Sequence, residues 1–164
     1  MPDLLNSLAS FGFAKVGHLV LDDSRHPKFD LHEVCADHGW VYLWLEVSDS
    51  ATSVVYVGKA GKTLGARCEQ HRGGFKGGSA TGTQHAKRLC TGIDAGKRYE
   101  LWARKSEIIT LFGEAGISMS EAEERAFIQK FRPRWNSGSV LDAHGSSITQ
   151  SPPTPPHAKA HRPR

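Results

Sequence analysis

Apolar positions along this chain fall into short runs broken by glycine, proline and charge, and the period of each run suggests an element. Leu4, Leu5 and Leu8 suit a short N-terminal helix ended by Gly12, and Phe13 to Leu21 then reads as a strand. Charge and Pro27 make 22–30 a loop, and 31–37 suits a helical turn. Trp40–Val47 is almost continuously apolar, as a strand covered on both faces would be. Val54–Gly58 is a second strand, joined to the first by Ser48-Asp49-Ser50-Ala51-Thr52-Ser53 in an antiparallel hairpin. Thr63 is placed to cap a helix on which Arg67 and His71, four residues apart, share a face. Residues 73–82 are too rich in glycine for helix or strand and read as a mobile loop. Thr83 then opens a helix to about Ile93, Lys97 to Arg104 forms a third strand, and Ser106 begins a short helix to Phe112. Ser120 and Glu123 make a capping box for the last helix, which Pro133 stops after Arg132.

These elements predict an α+β fold: a small three-stranded antiparallel sheet flanked by helices. Residues 1–38 form a helix-strand extension, 39–136 the main domain, and 137–164 a Pro-rich tail whose composition cannot support a core. A chain of 164 residues suits a single domain with a sizeable core. The net charge of +4 permits a polyanionic partner without requiring one. Its distribution says more. From Gly58 to Lys76 there are five Lys or Arg residues against the single acid Glu69, so positive charge gathers around the second strand and its helix. Cys35, Cys68 and Cys90 lack the paired spacing of a zinc site and the even count of a disulfide framework, and read as reduced thiols. No basic-then-apolar leader is visible, and no apolar run approaches the ~20 residues of a membrane span. A soluble, cytoplasmic protein is therefore expected.

Two stretches carry chemistry. Gly61-Lys62-Thr63 looks like the end of a nucleotide-binding P-loop, but that motif needs a glycine five positions before Gly61 and Tyr56 stands there. The strand, turn and cation–imidazole pair still suit a phosphate. On the last helix Glu124, Phe127, Ile128 and Phe131 follow the i, i+3, i+4, i+7 spacing of a core-facing stripe. A carboxylate on that stripe needs a compensating metal ion or arginine, unless it lies at the stripe's exposed edge.

Val41-Tyr42, a turn-rich spacer and Tyr56-Val57-Gly58 resemble the paired signature of the GIY-YIG nuclease family, with Trp40 in place of the first signature's glycine and Gly39 adjacent. Arg67 and His71 fall where that family keeps an arginine and its helical partner. Glu124 to Asn136 resembles its closing segment. The resemblance implies an endonuclease that hydrolyses DNA phosphodiesters with one divalent ion, Mg²⁺ or Mn²⁺, held by Glu124. It further implies that Tyr42 takes the proton of the attacking water, which needs a nearby positive group to favour its ionised form; Lys59 is the candidate nearest in sequence to Tyr56. Arg67 would bind the scissile phosphate and Tyr56 position water or phosphate. His71 would bond the phosphate or orient Tyr42, and Asn136 fix the end of the Glu124 helix. Gly58, Lys62, Arg72 and His85 are the accompanying substrate contacts. Double-stranded or branched DNA is the expected partner, in restriction, defence or repair, with a homodimer left open. The alternative is a nucleic-acid-binding module of the same fold that has lost cleavage.

Overall fold

The computed structural model describes residues 4–32 and 35–136 of the chain. The tail expected to be disordered, 137–164, lies outside the described residues. The central strand is β3 (Trp40–Val47), whose residues 41–46 are all buried. It is flanked by β4 (Thr52–Ala60) on one side and β5 (Arg98–Lys105) on the other, both antiparallel to it. The expected hairpin therefore forms, and its register pairs Tyr42 with Gly58 and Trp44 with Tyr56.

The sheet is larger than the three strands expected. β1 (Ala14–Leu21) pairs with β5, and β2 (Pro27–Leu31) pairs with β1, giving five antiparallel strands in the order β2-β1-β5-β3-β4. The N-terminal segment thus widens the sheet with two strands, while its short helix lays Leu8 on one face. Pro27 argued for a loop, yet it opens an edge strand, where its missing N–H costs nothing. Leu31 closes that strand instead of starting a helical turn.

Each face of the sheet carries its own apolar layer. Val41, Leu43, Leu45 and Val57 pack with Leu8 of α1 (Leu4–Ser10) and with Phe127 and Ile128 of α4 (Ser120–Phe131). On the other face Tyr42, Trp44, Val55 and Leu101 pack with Leu64 and Cys68 of α2 (Leu64–Gly73) and Leu89 of α3 (Ala80–Asp94). The alternation of side chains along a strand sends Tyr42 to one layer and its neighbours Val41 and Leu43 to the other.

Between α2 and α3 the glycine-rich segment is ordered rather than a mobile loop. α2 runs into a π turn at Gly74–Gly78, and Ser79 caps α3 by accepting from the Gly82 amide at 3.0 Å, a task expected of Thr83. The glycines serve close packing: a β-carbon on Gly82 would stand 2.5 Å from the Gly74 carbonyl carbon. A second correction concerns 106–112. In place of a helix, β6 (Ile108–Leu111) pairs with β7 (Glu114–Ser118) around Phe112 and Gly113, both at positive φ. The β-branched run Ile108-Ile109-Thr110 favours a strand, and two positive φ angles suit a tight hairpin turn. The capping box is also absent. Glu123 instead accepts from Ser106 Oγ at 2.7 Å and the Glu107 amide at 3.0 Å, partners brought by the fold rather than by sequence spacing.

β4 is an edge strand, and its edge is sealed by the chain that follows α4. The Trp135 amide donates to the Val55 carbonyl at 3.0 Å. Asn136 Oδ1 accepts from the Val57 amide at 2.8 Å while its Nδ2 donates to the Val57 carbonyl at 2.7 Å. One side-chain amide thereby satisfies both backbone groups of an edge residue, which would otherwise invite pairing with another chain.

Candidate active site

The site forms where that edge meets helices from both faces. α2 brings Arg67 and His71 over Tyr42 and Tyr56, and α4 brings Glu124 around the edge of β4. Thr63 performs the capping expected of it, accepting from the Ala66 amide at 3.1 Å, and so fixes where the turn of Arg67 begins.

Tyr42 is 1% exposed, and its hydroxyl is held from two sides. Arg67 Nε donates to it at 3.0 Å, and His71 Nε2 lies 2.6 Å away. Burial, reinforced by the Arg67 charge and by His85, pushes the His71 pKa down to about 3. The imidazole is therefore neutral near pH 7, and in the tautomer that carries its proton on Nδ1 its Nε2 accepts from the Tyr42 hydroxyl. Burial raises the Tyr42 pKa well above its usual value, Tyr56 adds to this, and Arg67 opposes it. The cation at this phenol is thus Arg67. Lys59, expected to serve Tyr42, ion-pairs with Glu121 at 3.0 Å instead.

Tyr56 is half-buried and stands 6.2 Å from Tyr42 between ring centroids. Its phenol is raised by burial, while Arg67 and Tyr42 pull it back. Gly58 makes this pairing sterically feasible. A β-carbon there would overlap the Tyr42 phenol and lie 2.9 Å from Tyr56 Cε1. The role of Gly58 is therefore to leave room for two rings.

Glu124 is half-buried, and three adjoining hollows connect it to the phenols. One, of about 580 Å³, is lined by Lys59, Lys62, Arg67, Gln70 and Glu124. The second has Tyr56, Glu121, Glu124, Arg125 and Asn136 on its walls, and the third Tyr56, Arg67, Gln70, His71 and His85. Burial raises the Glu124 pKa, with Lys59 and Arg67 opposing and Glu121 adding to the rise. This carboxylate is poorly solvated and faces cations, as its place on the apolar stripe led one to expect. No three His, Cys, Asp or Glu side chains converge as a metal cage among the described residues. The donor set still fits a hard cation that keeps most of its waters and takes a single carboxylate.

The remaining expected residues divide. Asn136 touches β4 rather than α4, so it positions the edge strand beneath Tyr56. Lys62 is exposed on the wall of the first hollow. Arg72 pairs with Glu69 at 3.5 Å and lines none of the three hollows. His85, which as a lone histidine suggested a surface residue, is only 2% exposed. It is stacked on Trp135 and edge-on to Tyr56, so it props that ring from behind. Sequence reading missed Gln70, whose side chain accepts from Arg67 Nη1. The i, i+3 spacing of Arg67 and Gln70 was the available signal. It also missed Trp44, which packs against His71, Tyr56 and His85. Trp44 looked like core and is core, but its neighbours are the site.

Five antiparallel strands with helices on both faces, and Tyr42, Tyr56, Arg67 and Glu124 gathered where β4 meets α2 and α4, make an α+β fold structurally similar to that of GIY-YIG nucleases. The structure is similar to that of a glutamate-to-alanine mutant of bacteriophage T4 EndoII, with a TM-score of 0.63 and 22% identity over 81% of this chain and 98% of that one. It is also similar, with a TM-score of 0.46 and 18% identity over 79% of each chain, to the restriction endonuclease HPY188I in complex with product DNA. No protein-family profile and no curated protein matches the sequence.

Proposed function

We propose that this protein is an endonuclease that hydrolyses DNA phosphodiesters with one divalent ion. The observation that carries this reading is the convergence of Tyr56, Arg67 and Glu124 on connected hollows at the β4 edge, with Tyr42 and His71 hydrogen-bonded behind them. The fold shared with T4 EndoII supports it.

Glu124 would hold Mg²⁺ or Mn²⁺, and the ion would supply positive charge at the phosphate and leaving oxygen. Arg67 binds the scissile phosphate. Its guanidinium is held by Gln70 and by the Tyr42 oxygen, which leaves one edge for phosphate oxygens. Tyr42 is too buried to meet water in this arrangement, so the half-exposed Tyr56 meets it. The proton of the attacking water passes to Tyr56, the Tyr56 proton to Tyr42, and the Tyr42 proton to His71 Nε2. His71 begins neutral, as an acceptor must. An incoming phosphate dianion-like transition state offsets the Arg67 charge that opposes protonation of the ring.

Cleavage of supercoiled plasmid and of branched duplex, with Mg²⁺ or with EDTA, tests the reading. Cutting is expected only with the metal. Arg67→Ala is expected to slow it by roughly a hundred- to a thousandfold. Tyr42→Phe, which breaks the proton relay at its middle, is expected to lose about a hundredfold or more. Near-normal rates for both variants would remove the mechanism. Tight binding without any cutting by the wild type would favour the alternative of an inactive binding module.

A further inference from the structure

A further hollow, of about 450 Å³, has Trp135 in its wall, the tryptophan on which His85 of the site above is stacked. Gln84, Lys87, Arg88 and Thr91 line one wall, at the i, i+3, i+4, i+7 spacing of a single face of α3. Lys97 and Arg134 line the opposite side. The only acid is Glu46, 8% exposed, and it is saturated: Lys97 Nζ and Tyr99 Oη donate to it at 2.9 Å each, and Arg134 Nη2 donates as well. Burial works against its charge, but those donors outweigh it and hold its pKa below the usual carboxylate value.

Lys87 and Arg88 have no carboxylate within 4.0 Å among the described residues, so the hollow keeps an excess of positive charge. Arg88 Nη1 is buried without a hydrogen-bond partner, while its guanidinium lies 5.9 Å from the Trp135 ring. Buried donors are rarely left unmet, because the lost hydration is not returned. An anion at this wall would return it.

We propose that this hollow is a second binding site, one that grips the phosphate backbone of DNA away from the cut. The inference rests on the nuclease reading for its choice of polyanion. The two sites are joined by rigid parts. His85 of α3 stacks on Trp135 and meets Tyr56, while the guanidinium of Arg88, one turn further along α3, lies 5.9 Å from the same indole ring. Arg134 and Asn136 flank the same tryptophan in sequence, one in each hollow. On this proposal a strand whose scissile phosphate lies on Arg67 carries its neighbouring phosphates to Lys87 and Arg88. A run of backbone charge suits several separated cations better than a single small anion does.

The test measures duplex binding in EDTA as a function of salt, for the wild type, Lys87→Glu and Lys87→Ala/Arg88→Gln. Lys87 is exposed, so its reversal leaves folding intact even if the double variant does not. Each phosphate contact contributes about 0.9 to the slope of log K against log salt. The double variant is expected to lose one to two such contacts, and Lys87→Glu to bind several-fold more weakly, with kcat at saturating DNA unchanged in Mg²⁺. Unaltered slope and affinity in both variants would overturn the proposal while leaving cleavage, and thus the nuclease reading, untouched. Loss of binding in the variants of a wild type that cuts nothing would uphold the face and remove the nuclease. Displacement of DNA by micromolar pyrophosphate, relieved by Lys87→Glu, would identify a small-anion site and also overturn it.

Discussion

At the residue scale, the same burial that prepares the site for chemistry weakens the fold. Glu124 has its pKa raised in the folded state, mainly by burial. Between the unfolded value near 4.5 and the raised folded value, the native state binds more protons than the unfolded one, so stability falls as pH rises through that window. Glu124→Gln removes the charge and keeps the shape. In EDTA at pH 7 it is expected to melt higher than the wild type, with the difference fading near pH 4; a lower melting temperature would contradict the desolvated carboxylate. His71 has the opposite sign. Its pKa falls from 6.5 to about 3 on folding, so the unfolded chain takes up a proton that the native chain refuses. Its contribution is fully present above 6.5 and is lost as pH falls toward 3, amounting to roughly 3–5 kcal/mol across the window. Chemical denaturation from pH 7 to 4 should show this loss, and His71→Phe should flatten that part of the curve.

Individual residues were also the most legible level of the sequence. Tyr42 and Tyr56 were singled out by the family resemblance, Arg67 by its helical spacing from His71 and Glu124 by its place on an apolar stripe, and the fold brings all four to one region. Ion pairs were not legible: Lys59 meets Glu121 beside the hollow it lines with Arg67 and Glu124, and Arg72 meets Glu69. Gln70 was signalled only by its i, i+3 spacing from Arg67, and the position of His85 depends on a tryptophan stack that no local pattern reports.

Among the elements, the edge of β4 decides whether the site holds together. Asn136 closes Val57 from both sides, and Trp135 ties into the apolar layer behind Tyr56. Asn136→Ala removes two hydrogen bonds and leaves both groups of Val57 to solvent or to a foreign strand. About 1–3 kcal/mol of stability should be lost, read by urea unfolding, together with increased aggregation. A neutral result would mean the edge is held by packing alone. The strands of the hairpin were legible because β3 is buried throughout and β4 ends in glycine and lysine. The β6–β7 hairpin was not, since Ser106 offered a plausible helix cap and the turn is made by Phe112, a residue that rarely adopts positive φ. Nor was the order of 73–82, whose glycines suggest freedom but are needed for the contact of Gly74 with Gly82.

For the whole molecule, sheet size and charge were visible only in part. β1 joins the sheet by pairing with β5 far along the chain, as His18 with Glu100, and β2 is added beside β1, pairings that no local period encodes. The basic bias was legible as a count, but its placement was not. Lys59, Arg72 and Lys76 pair with Glu121, Glu69 and Asp22, and Arg134 with Glu46, while Lys87 and Arg88 of α3 stand on a second face without an acid partner among the described residues. No helix among the described residues is long and apolar enough to cross a membrane.

The central claim is that Glu124 holds the ion required for cutting and does little for DNA binding itself. The direct measurement is one duplex substrate assayed for binding in EDTA and for cleavage across a Mg²⁺ titration, with wild type and Glu124→Gln side by side. The account expects equal or slightly tighter binding by the variant, cleavage by the wild type that rises and saturates with Mg²⁺, and no cleavage by the variant at any concentration. Metal-dependent cutting by Glu124→Gln at a rate close to that of the wild type would contradict it.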